Sequence, residues 1–175
     1  RGFSFVTSKP EIILLNLDDS QPDETKIPKW DELKKRADEQ GVKLCSLYGS
    51  LEMDIAELEE EEAAAFTEGL DITEPGRERL IEEAYRVLGL ISFFTCGPDE
   101  VRAWTLHDGD NAVDAAGAIH SDLARGFIRA QVVAFDDYKK HGSSFDECRK
   151  AGCLRLEGKE YLVKDGDIIE IRFNV

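Results

Sequence analysis

The absences in this sequence narrow its function first. Across 175 residues no apolar run approaches the ~18 residues expected of a membrane-spanning helix, so no membrane partner is expected. The opening residues Arg1-Gly2-Phe3-Ser4 lack the charged and then apolar start of a secretory signal, and the expected compartment is the cytoplasm. Basic residues are scarce: 22 Lys and Arg stand against 37 Asp and Glu, a formal net charge of -15. Such a chain has no electrostatic footprint for non-specific duplex binding, so DNA is not an expected partner. The deficit is uneven, with 11 basic and 22 acidic side chains in residues 1–89 and 11 and 15 in residues 90–175. Any RNA contact must therefore be local. Arg102, Arg125 and Arg129 are the candidates, with ordinary surface ion pairs as the alternative. The four cysteines, Cys45, Cys96, Cys148 and Cys153, show no repeated spacing and are expected as reduced thiols. Cys148, Cys153 and His141 fit no zinc spacing and lack a fourth ligand, so no metal ligand is assigned.

What is present divides into two kinds of pattern. From Phe93 to Leu106 the chain reads as strand, turn and strand, with Gly97-Pro98 as the turn and Val101, Ala103 and Thr105 alternating with Arg102, Trp104 and Leu106. After a second turn at His107–Asp110, a helix is expected over Asn111–His120. Asn111 is its N-cap and Asp114 completes a capping box. Val113, Ala116 and Ile119/His120 share one face, and Ala115 and Ala118 keep the helix thin against a sheet. Further strands are expected at Phe127–Phe135, at Leu154–Val163 as a hairpin turning at Glu157-Gly158-Lys159, and at Asp167–Asn174. Strands gripping one helix give an α+β module of the β-grasp kind.

The first half reads differently. Glu11–Leu15 is a continuous apolar strand, Trp30–Gln40 a helix stopped by Gly41, and Val42–Leu47 a second apolar strand. Helical pattern runs from Leu51 through the acidic run Glu57–Glu62 to Phe66, and again over Gly76–Leu88. The acidic run is expected to be a solvated helix face. Strand, helix, strand, helix is the order of a parallel α/β sheet, in which ligands sit outside the C-terminal ends of the strands. Asn16–Asp19 and Tyr48–Ser50 both fall at that edge. Asn16 offers amide donors and an acceptor, suited to a base edge or to bracing the neighbouring loop. Asp19 can accept from a ring N–H or an exocyclic amine, and Gly49 permits close backbone approach. Asn and Asp also serve as plain turn residues at such positions.

Four segments together carry a resemblance: Phe93-Phe94-Thr95 with Glu100-Val101-Arg102-Ala103-Trp104-Thr105, Ala115-Ala116-Gly117 with Ile119-His120, Arg125–Ala130, and Val163 to Asn174 around Asp165-Gly166-Asp167-Ile168-Ile169. They resemble the C-terminal TGS domain of YchF-type Obg-like ATPases, in the translation-factor branch of P-loop GTPases. The resemblance implies a partial P-loop NTPase (Rossmann-like) sheet over residues 1–89, lacking P-loop and switches, and a β-grasp TGS domain over residues 90–175. It implies that Asn16-Leu17-Asp18-Asp19 is the base-recognition motif. Leu17 replaces the guanine-type lysine, as in the ATPase variant, whereas Asp19 stands where that variant carries Glu. It further implies that Tyr48, Gly49 and Ser50 form the second base-edge loop. ATP is the first expectation, with GTP as the alternative, and Mg²⁺ accompanies the nucleotide in the longer parent. The ribosome or ribosomal RNA is the implied partner.

A P-loop needs Gly-x-x-x-x-Gly-Lys-[Ser/Thr]. The nearest string, Gly152 to Glu160, has one residue too many between its glycines, ends on Glu160 in place of a hydroxyl, and precedes no helix. No Asp-x-x-Gly metal loop or switch threonine is found. The chain is therefore expected to be the C-terminal piece of a longer nucleotide hydrolase, with no catalytic residue of its own and no hydrolysis alone, since phosphoryl transfer depends on the groups it lacks. The other reading is a non-catalytic module of residues 90–175 that binds RNA, ribosome or protein. Two strands cannot bury both faces of a sheet, so apolar surface is expected at Ile12, Ile13, Leu14 and Leu44, a route to self-association. His120 is a candidate RNA contact or base, or a cap for the last carbonyls of its helix. Trp104 is expected in the core or an interface.

Overall fold

The computed structural model describes residues 5, 9–18, 27–69, 76–97 and 100–174. The chain divides into two units, Arg1–Leu88 and Gly89–Val175.

In the first unit, the run Ile12–Asn16 forms strand β1 and Lys43–Leu47 forms strand β2. They pair in parallel from Ile12 opposite Lys43 to Asn16 opposite Leu47. A parallel pair requires a crossover, and helix α1 (Trp30–Gln40) supplies it. The helix stops at Gly41, whose φ of 67° is left-handed and whose N–H reaches the carbonyls of Ala37 and Asp38. The expected single helix from Leu51 to Phe66 is two helices, α2 (Gly49–Ala56) and α3 (Glu60–Gly69). The break falls at Glu57–Glu59, where Glu57 and Leu58 make short turns back to Asp54 and Ile55. The described acidic side chains of this run, Glu57, Glu59, Glu61 and Glu62, are exposed, as a solvated face requires. Helix α4 (Gly76–Leu88) packs on β2. Leu80, Ala84 and Val87 are half-buried and Leu88 is exposed. Of the strand residues expected to carry apolar surface, Leu14 is 41% exposed and Ile12, Ile13 and Leu44 are half-buried.

The second unit is a five-stranded sheet in the order β4-β3-β7-β5-β6. Its strands are β3 (Leu90–Cys96), β4 (Val101–His107), β5 (Phe127–Ala134), β6 (Arg155–Glu157) and β7 (Asp167–Phe173). First and last strands run parallel at the centre and the others are antiparallel, the β-grasp arrangement. Helix α5 (Ala112–Ile119) lies across one face. Asn111 caps it, accepting the N–H groups of Val113 and Asp114 while Asp114 accepts the N–H of Asn111, the complete capping box. Its innermost residues are Ala112, Ala115 and Ala116, all fully buried. The expected face was turned by part of a helical turn: Val113 and Ile119 flank the core, and Ala118 and His120 are exposed. Phe93, Ala130, Val132 and Ile169 complete the core from the sheet.

Two further expectations are corrected. Phe135 does not end a strand but begins helix α7 (Phe135–Lys140), which is followed by α8 (Phe145–Ala151). Neither helix was expected, because each is too short to show an apolar period. The Leu154–Val163 hairpin does not form. Arg155–Glu157 pairs with β5 alone, and Tyr161–Val163 runs beside the entry to α5, where Ala112 N–H meets the Tyr161 carbonyl at 2.9 Å and Val163 N–H the Asp110 carbonyl at 3.0 Å.

Candidate functional site

The C-terminal ends of β1 and β2 bring two loops together. Asn16 is the last residue of β1, and the next N–H, that of Leu17, still bonds the Leu47 carbonyl at 2.9 Å. This extends the ladder by one residue and fixes where the Asn16 side chain begins. Its Oδ1 accepts the Gly49 N–H at 2.9 Å. A Cβ at Gly49 would lie 2.7 Å from that same oxygen, so only glycine allows the approach. The bracing role weighed for Asn16 is thus met by its oxygen, and its Nδ2 donors stay on an exposed residue.

Tyr48–Ser50 is not a free loop. Tyr48 is the N-cap residue of α2, and Gly49 and Ser50 are the first residues of its opening turn. The first N–H groups of a helix have no intrahelical acceptor, so the Ser50 N–H belongs to the open end of α2. Tyr48 is half-buried and its carbonyl accepts the Glu52 N–H at 2.9 Å; Ser50 is exposed. Asp19 lies outside the described residues. The rim therefore gathers Asn16, Leu17, Tyr48, Gly49 and Ser50 at one edge.

Two residues that sequence reasoning missed hold this edge in place. Glu52 on α2 accepts the Gly76 N–H at the start of α4, and a Cβ at Gly76 would fall 2.8 Å from that carboxylate and 2.9 Å from Leu47 Cβ. Arg79 on α4 donates to the Ser46 carbonyl at 3.1 Å. A glutamate in the first turn of one helix and a glycine opening another were the available signals. A cleft of ≈ 440 Å³ lies elsewhere on this unit, lined by Trp30, Lys34, Leu44, Ser46, Arg79 and Arg86 among others, and includes no rim residue.

The four candidate RNA contacts do not converge. The Arg102 guanidinium lies over the Trp104 ring, 4.2 Å from its centroid. Trp104 itself stacks near Phe93 and donates from Nε1 to Thr95 Oγ1 at 3.0 Å, which places it at the core margin. Arg125 pairs with Asp122 at 2.9 Å. His120 does not cap the carbonyls of α5. It caps the next helix, α6 (Ser121–Arg125), with Nδ1 accepting the Asp122 N–H at 3.2 Å. Arg129 sits on β5 opposite Arg172 of β7. Strands β3 and β7 separate it from Arg102 on β4, about 14 Å across three strand spacings. Arg172 was not singled out from sequence, because only the strand register reveals that it faces a second arginine.

The second unit also buries a polar network. Asp167 is 2% exposed. Its Oδ2 accepts Tyr161 Oη–H at 2.7 Å and Lys164 N–H at 3.0 Å, and its Oδ1 accepts from Arg155 Nη2 at 3.3 Å. Burial, together with the hydrogen bond to Asp167, pushes the Tyr161 phenol up to about 12. Burial likewise pushes the thiols of Cys96 and Cys148 up, which suppresses thiolate chemistry. All four cysteines are free, and Cys153 Sγ lies 3.4 Å from the Cys148 carbonyl. Among the described residues no group of three His, Cys, Asp or Glu side chains is placed to hold a metal ion.

Known proteins are similar to this chain in sequence and fold. The family described as "YchF-GTPase_C: Protein of unknown function (DUF933)" matches residues 90–174. A protein of Haemophilus ducreyi named ribosome-binding ATPase YchF is 41% identical over 175 residues, covering 100% of this chain and 47% of that relative. The protein of the same name from Bacillus subtilis is 43% identical over 174 residues, covering 97% of this chain and 46% of its own length. The solved structure of the Schizosaccharomyces pombe YchF GTPase superimposes with a TM-score of 0.81 at 33% identity, over 94% of this chain and 43% of that one. A GTP binding protein from Pyrococcus horikoshii OT3, at TM-score 0.65 and 18% identity, shares the fold, over 95% of this chain and 46% of its own. The chain spans about half the length of the curated relatives it matches. Relatives of one name match the chain from end to end and a family model described as C-terminal matches its second unit, so the chain is similar to the C-terminal part of the longer YchF proteins.

Proposed function

We propose that this chain supplies the base-reading rim of a ribosome-associated nucleotide hydrolase together with a docking module. Residues 1–89 would form part of a P-loop NTPase domain and residues 90–175 a TGS domain. The contact that carries the reading is Asn16 Oδ1 to Gly49 N–H at 2.9 Å, which joins two post-strand segments at the ligand-binding edge of a parallel sheet. With its oxygen engaged, Asn16 presents Nδ2 donors to a purine edge, the Tyr48–Ser50 segment offers backbone N–H, and Leu17 removes the lysine of the guanine motif. Asp19 is proposed to accept from the base. ATP is the preferred nucleotide, with GTP as the alternative. The described residues fit a base; Mg²⁺ and phosphate contacts are assigned to no residue of this chain. No residue here is proposed as catalytic, and the working compartment is the cytoplasm.

Titration separates the parts. In the longer protein, Asn16→Ala and Gly49→Ala should each weaken adenine-nucleotide binding roughly tenfold, the value of one hydrogen bond, and leave ribosome pelleting without nucleotide unchanged. The 175-residue chain should show no tight Mg²⁺-dependent ATP binding; finding it would overturn the assignment. The docking reading is favoured for the second unit by its own buried core. Co-sedimentation of the chain with ribosomes tests it, and failure to co-sediment at low salt would reject it.

A further inference from the structure

A cleft of ≈ 330 Å³ opens on the second unit where β3, the end of β5 and the start of α7 meet the turn before β7. Its walls are Phe94, Ala134, Phe135, Asp136, Asp165 and Gly166. The Phe94 and Phe135 rings lie 6.0 Å apart at 43°, and Phe135 is 48% exposed. The walls are tied to the sheet: Phe135 N–H bonds the Gly166 carbonyl at 3.0 Å, Gly166 N–H the Ser92 carbonyl at 2.8 Å, and Asp165 Oδ1 accepts the Ser92 N–H at 2.8 Å. Asp136 is exposed and has no ion pair among the described residues. No lysine, arginine or histidine lines the cleft.

Two aromatic rings and two carboxylates without a counter-cation make a receptor for a positive group. Ring quadrupoles attract an ammonium or guanidinium, and carboxylates add direct attraction. The source of that group follows from charge. The whole chain carries -15 and residues 90–175 carry 11 basic against 15 acidic side chains, so approach favours a cationic partner and opposes a polyanion. The candidate cations for RNA are dispersed: Arg102 covers Trp104 and Arg125 is paired. We propose that this cleft receives a lysine or arginine side chain from a basic protein segment, so that the second unit engages protein rather than RNA on its partner particle. This rests on the docking reading above and gives that reading its chemistry.

The test uses the ¹⁵N-labelled 175-residue chain titrated with a ten-residue oligolysine, its fully acetylated form, and a ten-nucleotide single-stranded RNA. The amides of Phe94, Phe135, Asp136, Asp165 and Gly166 should shift with oligolysine and not with the acetylated peptide. Asp136→Asn and Phe135→Leu should each weaken binding roughly threefold, in line with a partly exposed cation–π or ion-pair contact. The Asp136 side chain is exposed and enters no described hydrogen bond or ion pair, so its variant keeps the fold even if Phe135→Leu does not. Shifts confined to the acidic run Glu57–Glu62, affinity unchanged by Asp136→Asn, or tighter RNA binding through the Arg129 and Arg172 amides would each overturn the proposal. Ribosome co-sedimentation unaffected by Asp136→Asn, with no oligolysine shift in the cleft, sinks the cleft and spares the docking reading. The opposite result, a working cleft without co-sedimentation, sinks the docking reading.

Discussion

The two units are nearly equal in length and differ in what holds them. Among the described residues, Ala37 is the one buried hydrophobic side chain of Arg1–Leu88, whereas Gly89–Val175 has fourteen, from Ile91 to Ile169. Composition does not explain this. Ile12, Ile13, Leu14 and Leu15 are as apolar as Ile91, Phe93, Ile168 and Ile169. The difference lies in layers. In the second unit α5 covers one face of a five-stranded sheet, and α7 lies against β5 and β7 with α8 packed on α7. In the first, a two-stranded sheet offers too little area for its helices to enclose. Apolar area removed from water is worth roughly 25 cal/mol per Å², so the second unit should dominate the stability of the chain.

The sharpest way to break that comparison is a matched pair of truncations. Phe93→Ala removes a fully buried ring from the centre of the β-grasp sheet and should cost about 3–5 kcal/mol. Leu44→Ala, at a half-buried position on β2, should cost less than about 1.5 kcal/mol, because the remaining side chain already meets solvent. Urea unfolding followed by residue-resolved hydrogen exchange reads both. Equal costs would show that the first unit has a core of its own and would end the contrast.

The same contrast governed what the sequence made legible. Where local rules and tertiary packing agree, as at Asn111–Asp114, Gly41 and the Phe93–Leu106 hairpin, elements emerged within three residues. The Leu154–Val163 hairpin was misread because Glu157-Gly158-Lys159 is a genuine turn signal. What redirects the chain is Tyr161, whose phenol and carbonyl are taken by Asp167 and Ala112. Helices α7 and α8 were invisible because six or seven residues show no reliable period. At the rim, residue types located the edge, and strand order explains why the edge matters. The Asn16–Gly49 bond needed the register of β1 on β2, a long-range fact. The Phe94–Phe135 cleft needed three separate stretches of chain to meet, and no spacing encodes that.

A smaller effect should come from the buried carboxylate. Asp167→Ala leaves Tyr161 Oη–H, Lys164 N–H and the Arg155 guanidinium short of an acceptor inside the second unit, at a cost of about 2–3 kcal/mol. Exposed ion pairs of the first unit are the comparison: Arg36→Ala, which breaks the contact with Glu32, should cost under about 0.5 kcal/mol. Thermal melts of the two variants check the ordering, and an Arg36→Ala penalty as large as that of Asp167→Ala would contradict it.

An effect smaller than that of Asp167→Ala has a component that appears in alkali, and it reports on the same network. Burial first, and then the hydrogen bond donated to Asp167, hold the Tyr161 phenol protonated, raising it from 10.0 when unperturbed to about 12 in the folded chain. The unfolded chain therefore releases this proton at lower pH than the folded one. The stability linked to Tyr161 is complete below about pH 10, falls as pH rises from there, and is gone above about pH 12. Tyr161→Phe should flatten that part of the alkaline unfolding profile, and at neutral pH it should cost about 1 kcal/mol for the lost hydrogen bond. Phenolate absorbance titration of the two chains isolates the group: the wild-type spectrum should contain one late-ionising tyrosine that the variant lacks. If the absorbance missing from the variant is that of a tyrosine ionising near its unperturbed 10.0, the Asp167 pocket is open to water, and the second unit owes its stability to its apolar core alone.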